Sequence, residues 1–164
     1  KLWSFLKQCI SLSSRPKRPR MEIWSRGCSV YNVLGIMQDN IKNKIRSFTD
    51  LNAWKEAHVL VLKIYKLTEN FPKNEQFGLT SQIRRSAVSV TSNIAEGFSR
   101  NYQKEKIQFY FMSLGSLTEL QNQILIARDV TYLQENDFKD LADQTIVASK
   151  LINGLIKKIN SLNT

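Results

Sequence analysis

From residue 48 onward, apolar side chains recur at three- and four-residue intervals, the spacing of one face of an α-helix. The pattern predicts four helices, over about 50–69, 79–97, 101–130 and 136–162. In the first, Leu51, Trp54, Ala57, Val61, Ile64 and Tyr65 form the inner stripe, with Thr49 or Asp50 as cap. Pro72 breaks the chain after it, and Gly97 stands where the second helix should stop. The fourth carries the clearest seam. Phe138, Thr145, Ile152 and Ile159 are spaced seven apart, as are Leu141, Ala148, Leu155 and Leu162. Such an a/d seam asks for helices packed nearly parallel in axis, and short connections make neighbours antiparallel. The expected fold is all-α: an antiparallel up-down-up-down four-helix bundle behind an irregular N-terminal extension.

The third helix departs from that pattern. Between Ile107 and Ala127 its one charged residue is Glu119. Phe111, Leu114 and Leu125 point one way, whereas Phe109 and Leu120 point to the opposite side. A helix that is apolar around most of its circumference is buried on more than one side, or leaves a patch that marks a partner surface. Self-association through Phe109 and Leu120 is therefore expected. A membrane span is not, because Gln108, Glu119, Gln121, Asn122 and Gln123 interrupt the run.

The second helix sorts its residues into three strips. Ile83, Ala87, Val90 and Ile94 face the core. Gln82, Arg85, Ser89, Asn93 and Glu96 form a polar ladder on one flank. Ser81, Val88, Ser92 and Ala95 make a smooth back that another subunit could approach, a second interface surface. Two readings of the ladder stand. Its side chains satisfy one another and nearby backbone, with Arg85 reaching Glu119 across a hairpin, or they grip a partner.

Composition supports helices: 42% of residues are apolar, while glycine (6) and proline (3) are scarce. Charge is unevenly placed. Residues 1–47 hold ten Lys/Arg against Glu22 and Asp39, net +8; residues 48–164 hold fourteen against twelve Asp/Glu, net +2. The arm includes the basic run Ser14–Arg20, which Pro16 and Pro19 keep from being a regular helix. It reads as a disordered arm or as sequence upstream of the natural start, with Met37 the favoured initiator. Its residues 1–12 are too short in apolar sequence for a signal peptide. Both cysteines, Cys9 and Cys28, lie in it and suggest no disulfide framework, so the cytoplasm is the expected compartment.

Candidate chemistry is sparse. His58 is the one histidine, and Glu56-Ala57-His58 lacks the Glu-x-x-His spacing of a di-iron bundle. No Cys/His cluster offers a zinc site, no glycine-rich loop offers a phosphate cradle, and no serine has a nearby base in the sequence. No catalytic residue, metal or cofactor is expected. Phosphate binding has candidates: Arg100, Lys104 and Lys106 around the second turn, Arg84 on the second helix, and Lys150, Lys157 and Lys158 late in the fourth. Hairpin geometry is read as setting these groups apart rather than in one patch.

Three segments carry a resemblance: "FTDLNAWKEAHVLVLKIYKLTENFP", "FGLTSQIRRSAVSVTSNIAEGFSR" and "LGSLTELQNQILIARD". Together they resemble the four-helix-bundle proteins encoded in intervening sequences of bacterial 23S ribosomal RNA genes, a family that includes the accessory variability protein of diversity-generating retroelements. The resemblance spans about Phe48 to Leu162. It implies the antiparallel bundle, a pentameric barrel as the homo-oligomer, and structured RNA or DNA and a reverse transcriptase as partners. The near-neutral charge of residues 48–164 favours the alternative, a protein–protein scaffold without nucleic-acid binding.

Overall fold

A computed structural model describes residues 45–161. The expectations for residues 1–44, including the start at Met37 and the state of Cys9 and Cys28, lie outside the described residues. Four helices follow one another: α1 (Asn52–Thr68), α2 (Leu79–Ser99), α3 (Gln103–Asp129) and α4 (Glu135–Asn160). Among the described residues there is no strand. Each helix packs on its neighbours in the ring α1–α2–α3–α4–α1, so the antiparallel four-helix bundle read from the sequence is the observed fold.

The ends differ from the sequence reading in local detail. Ser47 caps a short 3-10 turn, Phe48–Asp50, and the Asp50 carboxylate accepts from the Arg46 and Ser47 amides at 2.9 and 3.0 Å. Those two amides hold the Asp50 carboxyl below its ordinary range. The capping residues thus serve this turn, and α1 starts after it at Asn52. α3 ends with the Tyr132 amide donating back to the Ala127 carbonyl at 2.8 Å. Thr131 takes the left-handed conformation (φ 64°) that glycine more often fills there. α4 ends at Asn160, so Leu162 falls outside the described residues.

Gly97 does not terminate α2, which continues to Ser99. It is buried, and a Cβ placed there would stand 2.6 Å from Tyr110 Cε1 of α3. Its missing side chain lets two helices meet rather than letting one helix end. Nearby, Ser113 Oγ donates to the Val90 carbonyl at 2.9 Å, a bond from one helix's side chain to the other's backbone. Burial pushes the Tyr110 phenol above its ordinary value.

The core contains Ala57, Leu60 and Ile64 of α1, Ile83, Ala87, Val90 and Ile94 of α2, Leu117, Leu120 and Ile124 of α3, and Leu141, Ala148 and Ile152 of α4. Leu120 is fully buried, so its assignment to an oligomer interface is corrected. The core stripe of α3 runs Tyr110, Ser113, Leu117, Leu120, Ile124, Ala127. Ser113 and Gln123 are polar and buried, which hid that stripe in a helix already apolar nearly all round. The side bearing Phe111 is the outer one: Phe111 is 57% exposed and Met112 49%. Tyr65, expected inside, is 42% exposed, because Leu60 and Thr68 take the inner positions of α1. The α4 seam drifts at its end, where Ile156 is buried and Leu155 only partly so. That drift follows from 3.6 residues per turn against a seven-residue repeat.

Stability measurements check this packing. Gly97→Ala should destabilise the bundle by about 1–3 kcal/mol through overpacking on Tyr110. Gly115→Ala and Gly154→Ala, where a Cβ meets nothing within 4 Å, should each stabilise it by about 0.5–1 kcal/mol in chemical melts. Leu120→Ala should cost about 2–5 kcal/mol, and Leu120→Asp should unfold the chain rather than merely dissociate subunits, as circular dichroism will distinguish.

Candidate nucleic-acid interface

The antiparallel course decides which cations share a neighbourhood. The start of α1, the α2–α3 turn and the end of α4 all lie at one end of the bundle. Dividing each helix at its midpoint, and counting residues 48–164, that end holds Lys55, Arg100, Lys104, Lys106, Lys150, Lys157 and Lys158 against Asp50, Glu56, Glu96 and Glu105, seven cations to four anions. The other end holds Lys63, Lys66, Lys73, Arg84, Arg85, Arg128 and Lys139 against Glu69, Glu75, Glu119, Asp129, Glu135, Asp137, Asp140 and Asp143, seven to eight. The modest +2 of residues 48–164 thus resolves into +3 at one end and −1 at the other.

Ion pairing sharpens the contrast. Lys63–Asp140, Arg128–Asp129 and Lys139–Glu135 belong to the other end. At the basic end Arg100 pairs with Glu96 and lies over the Phe109 ring, 4.6 Å from its centroid. Lys106 donates to the Phe98 carbonyl at 2.8 Å. Lys104, Lys150, Lys157 and Lys158 are exposed and make no ion pair among the described residues. Such cations are free to meet phosphates.

The basic residues named from the sequence are therefore redistributed. The second-turn group and the late-α4 group, read as separate, share one end; the reading followed each hairpin but not the return of α4. Arg84 is the exception. It donates from Nε to Thr68 Oγ1 at 2.8 Å and stacks over Tyr65 at 5.0 Å, clipping α1 to α2 near the opposite end. Lys55 belongs to the basic end and was not singled out.

Of the polar ladder, Ser89 alone bonds to α3, and the other members bond locally along α2 and its C-terminal cap. Arg85 donates to Gln82 at 2.6 Å, Ser89 meets Ser116 of α3 at 2.9 Å, and Asn93 donates to the Ser89 carbonyl at 2.8 Å. Arg85 does not reach Glu119, which accepts from Gln123 at 3.0 Å. The reason is register. Ser86 meets Gln123 and Ser89 meets Ser116, so Glu119 sits level with the middle of α2, past Arg85. Sequence reasoning missed the buried pair Ser86–Gln123 (2.6 Å), because both residues look like surface polar positions beside the Ile83–Ala87 stripe.

Ser81, Val88 and Ser92 are exposed and Ala95 half-buried, an outward strip on α2. Phe109 is half-buried beneath Arg100, so the uncovered apolar side chains of α3 are Phe111, Met112 and Ile126. His58 stacks on Trp54 with ring centroids 4.7 Å apart. Among the described residues no group of three or more His, Cys, Asp or Glu could hold a metal ion. No helix of these residues is long and apolar enough to cross a membrane. An open groove between α1 and α4 is lined by Asn52, Glu56, Val147, Lys150 and Leu151.

The 23S rRNA-intervening sequence protein model matches residues 49–154, most of the chain and all four helices. The chain belongs to that family. A crystal structure from Bacteroides thetaiotaomicron VPI-5482, described as a protein of unknown function from the S23 ribosomal protein family, has the same fold. It superposes with a TM-score of 0.60 at 18% identity, over 64% of this chain and 95% of that one. None of the curated proteins compared with the chain matches it. The match thus covers the bundle up to the last turns of α4 and leaves residues 1–48 and 155–164 outside it.

The polar bonds of α2 and α3 should differ in weight with their burial. Gln123→Leu, which strips Ser86 and Glu119 of a partner, should cost about 1–3 kcal/mol in a urea melt. Arg85→Ala, at an exposed pair, should change stability by less than about 0.5 kcal/mol.

Proposed function

We propose that this protein is a non-catalytic helical bundle that associates with structured RNA in the cytoplasm, docking phosphates against its basic end. The observation that carries this is the uneven charge of the two ends, seven cations to four anions at one and seven to eight at the other. Lys104 at the start of α3 and Lys157 and Lys158 at the end of α4 belong to the basic end, with Lys150 nearer the middle of α4 on the groove it shares with α1. The family's description, with its ribosomal RNA intervening sequence, makes RNA the first ligand to try. A nucleoprotein such as a reverse-transcriptase complex presents the same phosphate chemistry. Homo-oligomerisation, up to a pentameric ring, fits the same picture, since several basic ends side by side would multiply a weak patch.

A second reading, a protein–protein scaffold, draws on a different observation. Phe111, Met112 and Ile126 leave apolar surface on the outer side of α3, and Val88 does so on α2. Partners retained from a nuclease-treated lysate and lost on Phe111→Asp would favour it.

The deciding measurement is binding of the full chain to a structured RNA at low and moderate salt. Binding should weaken steeply with salt, by a log–log slope of about 0.7–0.9 per phosphate neutralised. Combined Lys104→Glu, Lys157→Glu and Lys158→Glu should lower affinity at least about tenfold, whereas Lys66→Glu, Lys73→Glu and Lys139→Glu should change it little. Residues 1–47 are the same in all of these proteins, so the difference reads the bundle alone. Equal loss from both triples, or binding indifferent to salt, overturns the proposal.

A further inference from the structure

The basic end also bears an exposed aromatic side chain. Tyr102 closes the connection between α2 and α3 and is 72% exposed. Among the described residues no other ring or cation packs against it. Its neighbours in the chain are well fixed. Arg100 is held by Glu96 and Phe109, Lys106 Nζ is held by the Phe98 carbonyl, and the Tyr102 carbonyl accepts from the Lys106 amide at 3.0 Å. The ring therefore sits on a turn held through the Phe98 and Tyr102 carbonyls, two residues before the exposed Lys104.

We infer that Tyr102 is a stacking platform for an unpaired base, so that the basic end takes looped or single-stranded RNA in preference to a duplex. The inference rests on the RNA reading above. A duplex shows this surface only phosphates, because its bases are paired and stacked on one another. A loop or single strand offers both a phosphate to Lys104 and a free base face to the tyrosine. An apolar protein partner would fit the ring but not its cationic surroundings, and an anionic surface without rings would fit the cations but not the tyrosine. Fixing the turn beforehand lowers the ordering cost of the contact.

The test compares two RNAs of equal phosphate number, an unstructured oligonucleotide and a blunt fully paired duplex, by fluorescence anisotropy with the full chain. Wild type should prefer the single strand. Tyr102→Ala should weaken single-strand binding about tenfold and leave duplex binding unchanged, with an unaltered melting curve. Tyr102→Trp should keep the affinity, and its added indole emission should be quenched by the single strand but not by the duplex. Equal affinity of wild type for both RNAs, or Tyr102→Ala without effect while the lysine triple still weakens binding, overturns this inference and leaves the RNA reading intact. No binding of either RNA by wild type overturns both.

Discussion

At Gly97 the second helix comes so near Tyr110 of the third that a methyl group would not fit between them. The same closeness lets Ser113 reach the Val90 carbonyl and Ser86 reach Gln123. These three contacts fix how α2 and α3 slide along one another, because a side chain that bonds to a neighbour's backbone tolerates little displacement. The slide in turn fixes the turn at 100–102, the height of every ladder residue, and the end at which Arg100, Lys104 and Lys106 emerge. Much of what the surface presents is set by how tightly this pair is drawn together.

The fold was legible because three of the four helices are strongly two-faced. Ile83, Ala87, Val90 and Ile94 on α2, and Leu141, Thr145, Ala148 and Ile152 on α4, were read inward and lie inward. The third helix was not legible to the same degree. With Phe109, Phe111, Met112, Leu114, Leu117 and Leu120 spread around it, hydrophobicity alone does not say which arc is central. The answer depends on Ser113 and Gln123, small or bonded polar groups that the core accepts because each has a partner. Gly97 shows a related ambiguity. A glycine near a predicted helix end has two physical uses, termination and close approach, and only the neighbouring helix tells which applies.

The candidate surface was half legible for a different reason. Residue type alone named Lys104, Lys150, Lys157 and Lys158, but whether they cooperate is a matter of topology. Counting heights along one hairpin separated Arg84 from Arg100, as the structure does. It did not carry the count through a third reversal, which brings α4 back to the α2–α3 turn. Net charge over the bundle, +2 for residues 48–164, concealed the same fact by averaging two unlike ends.

Antiparallel neighbours also have an electrostatic consequence for the lopsided lysines. The macrodipoles of α1 and α3 oppose those of α2 and α4 and largely cancel. The bundle's polarity therefore comes from side chains alone, and its centre of charge is displaced from its centre of mass. On the bundle alone, the field of a polyanion would act as a torque as well as a pull, turning its basic end to the front. Dissolved ions shorten the distance over which that swing begins. Orientation, as much as attraction, is what the uneven ends contribute.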